Sequence, residues 1–243
     1  MRSWVIGLLL LVSTPVFAVS DYAREKKWAD EITPGIVVGD PVYLEQPNGH
    51  KFLCLYTEAA DAKMGVVVAH GLGIHPDWGM IGTLRRDLPD HGYTTLSIQM
   101  PILAVDAKAE AYPPTFPEAV ERLKLAVAYL KAKGYKRIAI VSHSMGMRMS
   151  YAYMKSNPPD VSAWAALGMP DPAISYAGIK VPVLDLDGAN DLPQVLAGAA
   201  KRKASLQGKP GSKQILIPNS DHFYTDHEDA MVKAVTEFLD GVK

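Results

Sequence analysis

One cysteine, Cys54, stands among 243 residues, so no internal disulfide can form. Its place in the apolar run Phe52-Leu53-Cys54-Leu55-Tyr56 predicts a buried thiol. A single cysteine and seven scattered histidines offer no zinc-ligand spacing, and no sequence feature calls for a metal or an organic cofactor. The formal charge is −1 with no long basic run, which removes the electrostatic footprint that nucleic-acid binding needs. Internal repeats and low-complexity linkers are absent too. No apolar run reaches the roughly 20 residues that span a bilayer as a helix. The longest, Trp4 to Val12, follows Arg2 and precedes Val16-Phe17-Ala18. That order, positive then apolar then small-x-small, predicts a secretory signal over 1–18 cut after Ala18. The mature chain is therefore expected in the periplasm or the medium, without a stable membrane anchor.

After the signal, 19–39 reads as a polar leader, with Asp21 to Asp30 helical and loosely held. The stretch 40–243 has the length of one domain. Pro41 to Gln46 and Lys51 to Thr57 predict two strands joined by the turn signal Pro47-Asn48-Gly49. Strands and helices then alternate. Strands are expected at Met64 to Ala69, Tyr93 to Gln99, Ile138 to Val141, Val161 to Leu167, Val181 to Leu186 and Lys213 to Ile217. Helices are expected at Ile81 to His91, Pro117 to Lys133, the segment ending at Ser156, Leu192 to Leu206 and His227 to Leu239. An antiparallel hairpin followed by such alternation implies a three-layer α/β domain with a mostly parallel sheet.

The densest signal is Arg137 to Tyr151, RIAIVSHSMGMRMSY. An apolar strand enters Ser142-His143-Ser144-Met145-Gly146 and leaves as a helix, with Ser144 at the apex. Ser142 and Gly146, two before and two after the serine, are small enough to let strand and helix pass. This stretch resembles the nucleophile elbow of the α/β-hydrolase superfamily, G-x-S-x-G, with serine in place of the first glycine.

That resemblance directs attention to the carboxyl ends of the other strands, where such sheets keep their reactive groups. After Ala69 comes His70-Gly71-Leu72-Gly73, similar to the superfamily's oxyanion loop; the match implies the backbone N–H groups of Leu72 and Met145 as the donors. After Leu186, Gly188 to Asp191 resembles the G-x-x-D acid turn and implies Asp191 as the acid, with Asp185 and Asp187 as rivals. After Ile217, Pro218 to Phe223 carries His222 where the superfamily keeps its base, with Asp221 as a turn residue and His227 at the mouth of the last helix. Ser144, Asp191, His222 is the chain order this fold implies. His70 and His143 are read as structural. His75, Asp77 and Trp78, beside the oxyanion loop, are even between packing and lining a substrate pocket.

The blocks HGLGIHPDW, TLRRDLP and TLSIQMP, with the elbow, also resemble a small family of exported bacterial α/β-hydrolase-like proteins of unassigned substrate, over Met64 to Met154. Between Ser144 and Asp191 there is room for a helix, two strands and a loop at Gly168 to Lys180, so a large lid is excluded. Pro101 to Phe116 is the expected pocket wall. The resemblance implies an exported serine hydrolase acting on a small-molecule ester or related acyl substrate, Ser144 being nucleophile, His222 base and Asp191 acid. The alternatives are an acyltransferase with the same triad and a non-catalytic ligand-binding protein on a hydrolase scaffold.

Overall fold

A computed structural model describes residues 20–242 of the chain. The expected signal segment and its cleavage point lie outside the described residues. Eight strands form one sheet: β1 (Asp40–Glu45), β2 (Lys51–Thr57), β3 (Met64–Ala69), β4 (Tyr93–Ile98), β5 (Ile138–His143), β6 (Ala163–Leu167), β7 (Val183–Gly188) and β8 (Lys213–Ile217). Their order is β1-β2-β4-β3-β5-β6-β7-β8, antiparallel at β1/β2 and β2/β4 and parallel elsewhere. The strand order reverses at β3, whose neighbours are β4 and β5. The loops after β3 and β5 therefore emerge side by side at one sheet end, the place where such sheets form crevices.

Six α-helices among the described residues cover the sheet: α1 (Tyr22–Ile32), α2 (Gly79–Asp87), α3 (Phe116–Ala132), α4 (Met145–Met154), α5 (Pro193–Ser205) and α6 (Glu228–Asp240). The period of two along a strand divides its side chains between two cores. In β5, Ile138 and Ile140 join Leu123 and Leu130 of α3 and Met147 of α4. Ala139 and Val141 face the other way, toward Leu84 of α2 and Val235 and Phe238 of α6. Both faces of the central strands are apolar because both are covered. Cys54 is fully buried in β2, and burial raises its thiol pKa.

Between Leu167 and Val183 no helix forms, so the sheet end over Ser144 has no lid domain. Strand β6 begins two residues later than its composition predicts, because Val161 closes a turn onto the Pro158 carbonyl.

The leader is helical, as expected, and it is docked rather than loose. The Tyr22 ring stacks on His50 at 3.5 Å, and Trp28 meets His75 edge-on at 5.6 Å. Glu25 is buried, its Oε2 3.0 Å from both His50 Nε2 and Arg122 Nη2. Ser20 donates to Glu118 of α3 at 2.7 Å. A buried carboxylate needs such partners, since an unpaired charge away from water is costly. No described helix is long and apolar enough to cross a membrane.

Candidate active site

Ser144 sits between β5 and α4 with φ 54° and ψ −118°. A non-glycine residue in this region costs of order 1–3 kcal/mol and persists only where the surroundings impose it. The imposing contact is at Gly146, where an added Cβ would overlap the His70 carbonyl oxygen and come within 2.8 Å of the Ala69 carbonyl oxygen. Helix α4 thus crosses the end of β3 at backbone contact distance, and that crossing forces the turn. Ser142 has a second use beside smallness: its hydroxyl accepts from the buried Trp164 indole at 2.8 Å.

His222, on the loop after β8, places Nε2 2.9 Å from Ser144 Oγ and Nδ1 2.6 Å from Asp191 Oδ1. A carboxylate only accepts, so Nδ1 carries the proton and Nε2 is left to accept from the serine hydroxyl. Asp191 is held in turn by the Leu192 N–H at 2.6 Å and by the Gly188 N–H at 3.4 Å. The three residues come from the ends of β5, β7 and β8, and His222 and Asp191 are buried while Ser144 is partly open.

Two histidines support this arrangement. His70 Nδ1 donates to the Gly71 carbonyl at 2.8 Å and Nε2 accepts from the Met100 N–H at 2.9 Å. His143 donates from Nε2 to the His222 carbonyl at 2.9 Å, and its Nδ1 has no partner among the described residues. Burial pushes each imidazole down to about 3, so both are neutral.

The rival acids have another task. Asp185 and Asp187 occupy the β7 face opposite Leu184 and Leu186, and both pair with the fully buried Arg202 of α5, at 2.9 and 2.5 Å. Tyr176 and Gln214 also donate to Asp185. Burial, with the neighbouring Asp185 charge, pushes the Asp187 carboxyl up to about 7 against the pull of Arg202. Asp221 accepts from the N–H groups of Phe223 and Thr225 and so closes the turn. His227 is outside the relay, on the Thr225 carbonyl at 2.9 Å.

A cleft of about 590 Å³ opens beside Ser144, with Leu72, Met145, Arg148, Pro170 and Leu192 among its walls. Ala109 and Glu110 supply one side, as expected of the 101–116 connection. The proposed donors Leu72 and Met145 both border it, and neither N–H is taken by a loop or side-chain acceptor among the described residues. Met145 is the first residue of α4, where N–H groups have no intrahelical partner.

His75, Asp77 and Trp78 are not in this wall. Asp77 is held by Arg85 and Arg86 at 2.6 and 3.0 Å, His75 packs on α1 through Trp28, and Trp78 meets Phe223 edge-on at 5.2 Å. Through these contacts they tie α1, α2 and the His222 loop together. The walls that composition left unmarked include Arg148, Asp171 and Leu192; Arg148, four residues after Ser144 and so on its side of α4, is the one that helical spacing marks. A second hollow of about 560 Å³ lies between α1 and the β1–β2 hairpin and is lined by no serine, threonine or cysteine.

Residues 40–120 match a family described as "Protein of unknown function (DUF3530)". No curated protein matches the chain. Among solved structures, it is similar to dienelactone hydrolase from Anabaena variabilis, at 20% identity and TM-score 0.68 over 84% of this chain and 99% of that one. Est1E from Butyrivibrio proteoclasticus is 16% identical with TM-score 0.66, over 82% and 97% of the two chains. XC6422 from Xanthomonas campestris, described as an a/b serine hydrolase without lid, is 12% identical with TM-score 0.63, over 84% and 95%. At these identities the likeness shows the fold: a three-layer α/β-hydrolase fold with an antiparallel N-terminal hairpin and no lid domain.

Proposed function

We propose that this chain is an exported serine hydrolase that cleaves an ester or related acyl bond through an acyl-enzyme on Ser144. The observation that carries the reading is the unbroken relay from Ser144 Oγ to His222 at 2.9 Å and from His222 to Asp191 at 2.6 Å, opening on a solvent-accessible cleft. Similar structures named as hydrolases, one of them a serine hydrolase without a lid, support it. The export half rests on Arg2, the apolar Trp4 to Val12 and the Val16-Phe17-Ala18 pattern.

In this mechanism His222 Nε2 takes the hydroxyl proton as Ser144 Oγ bonds to the acyl carbon, and the carbonyl electron pair moves to oxygen. The N–H groups of Leu72 and Met145 receive that oxyanion; losing one such donor typically costs about 2.7–4 kcal/mol of barrier. Collapse expels the alcohol with the proton from Nε2. A water, deprotonated by the same nitrogen, then releases the acid and restores Ser144. Asp191 keeps Nδ1 protonated throughout and stabilises the imidazolium.

The test is mass-spectrometric labelling with a fluorophosphonate, beside folded Ser144→Ala and His222→Ala variants. A phosphonyl adduct on Ser144 that falls strongly without His222 supports the reading. An unlabelled, folded wild type overturns it. Product analysis with an alcohol present reports whether the acyl group passes to water or to the alcohol.

A further inference from the structure

Seven arginines lie among the described residues, and six have a carboxylate or carbonyl oxygen partner. Arg24 reaches the Leu103 carbonyl, Arg85 and Arg86 share Asp77, Arg122 holds Glu118, Arg137 donates to the Val242 carbonyl and Arg202 bridges Asp185 and Asp187. Arg148 differs. Its guanidinium meets the Met145 sulfur at 3.9 Å and lies 5.5 Å from the centre of the Phe116 ring, with no oxygen acceptor among the described residues. It is also the arginine in the wall of the cleft that contains Ser144.

Position sharpens the contrast. Arg148 is the fourth residue of α4, so its charge adds to the positive end of the helix, where a cation is unfavourable and an anion is attracted. Glu110 and Asp171 border the same cleft, yet neither forms an ion pair with it, and Asp171 Oδ1 already accepts from the Ala173 N–H. A guanidinium presents several donors in a planar fork that matches a carboxylate. Met145, Leu72 and Leu192 line the same cleft as Ser144 and Arg148 and give it apolar surface, which suits methylenes.

We propose that Arg148 is a specificity-determining residue that binds a carboxylate carried by the substrate, so that the natural substrates are short esters with a free acid group. This inference rests on the hydrolase reading above and deepens it. A charge-assisted hydrogen bond lost from such a site lowers affinity by about tenfold or more.

Three esters test it: 4-nitrophenyl adipate with the acid on the acyl side, 4-hexanoyloxybenzoate with the acid on the leaving side, and 4-nitrophenyl hexanoate with none. The expected result is that Arg148→Met lowers kcat/KM for at least one anionic ester tenfold or more relative to hexanoate, and that Arg148→Lys recovers part of the loss. An equal change for all three esters overturns the proposal. A binding arm separates its failure from failure of the hydrolase reading. Calorimetry with adipate compares Ser144→Ala with Ser144→Ala/Arg148→Met, and needs no turnover. Adipate bound at least tenfold more weakly by the double variant sustains the anion site even if no ester is cleaved. Equal affinity, or no binding to either, overturns it.

Discussion

The His143 Nε2 atom donates a hydrogen bond to the carbonyl oxygen of His222 at 2.9 Å, and the two rings lie 4.7 Å apart. One histidine, kept neutral by burial, thus fixes the backbone of the other. His143→Phe, which removes the donor, is expected to lower kcat about tenfold with little change in KM, and to destabilise by about 1–3 kcal/mol. His143→Gln keeps an N–H donor and should recover most of the kcat. Steady-state kinetics on both variants check this; equal losses in the two would reduce His143 to packing.

The same burial makes stability depend on pH with a known sign. His70 and His143, at about 3 when folded, take up protons in the unfolded chain below its ordinary value of about 6.5. Their contribution is complete above that value and is lost as pH falls toward 3. Asp187, at about 7 when folded, acts oppositely: its contribution is complete below the unfolded value near 4 and is lost as pH rises to 7. Between pH 4 and 6, His143→Gln should flatten the rise of stability with pH by up to about 1.4 kcal/mol per unit, and Asp187→Asn should steepen it. Urea midpoints across that range decide it; an unchanged slope in His143→Gln means the group titrates normally.

Two acids near the end of β7 can be separated by rate. Asp191→Asn turns an amide N–H toward His222 Nδ1, which moves the ring proton to Nε2 and removes the base, and should cost about 10³–10⁴ in kcat/KM on any ester the wild type cleaves. Asp187→Asn leaves Arg202 paired with Asp185 and should cost less than tenfold. Asp185→Asn removes the charge and one of the two acceptor oxygens that Arg202, Tyr176 and Gln214 share, and should destabilise by about 3 kcal/mol or more. A larger rate loss for Asp187→Asn than for Asp191→Asn reverses the assignment.

Gly168, at φ +61°, leaves room for the base: a Cβ there would lie 2.9 Å from His222 Cε1. Gly168→Ala is expected to displace the ring and cost on the order of 10² in kcat, since misplacement by about 1 Å has that effect. Melting with kinetics checks it; full activity in a folded variant means the ring is not held there.

Glu25→Ala leaves Arg122 with Glu118 and takes an ion pair from α1. Its cost should be about 1–3 kcal/mol, read by chemical denaturation. No change in the midpoint would make the docking of α1 incidental to stability.

How much of this is legible from residues alone depends on sequence distance. Strands β3 and β8 read at their true bounds, because a run of apolar and β-branched residues between turn signals is a local property. Ser144, Asp191 and His222 each stand just past a strand, so chain order suggests them and tertiary distances are needed to join them. Docking of α1 is silent in the sequence because Glu25 meets Arg122 and His50, far along the chain. The pairing of Asp185 and Asp187 with Arg202 is silent for the same reason, and two acids in one strand read as competing candidates. His75, Asp77 and Trp78 look like a pocket because they follow the oxyanion loop, yet Arg85 and Arg86, in the last turn of α2, claim Asp77. Arg148 is marked only by its spacing, four residues after Ser144 on α4.

The bare connection between Leu167 and Val183 has a kinetic meaning. On the hydrolase reading proposed above, no helix has to move aside before substrate meets Ser144, so no slow opening step is expected to precede chemistry. Turnover should then follow the concentration of dissolved monomer smoothly, with no lag and no jump when the substrate begins to form droplets or micelles. Control of such a catalyst falls to supply of its substrate rather than to the appearance of an interface.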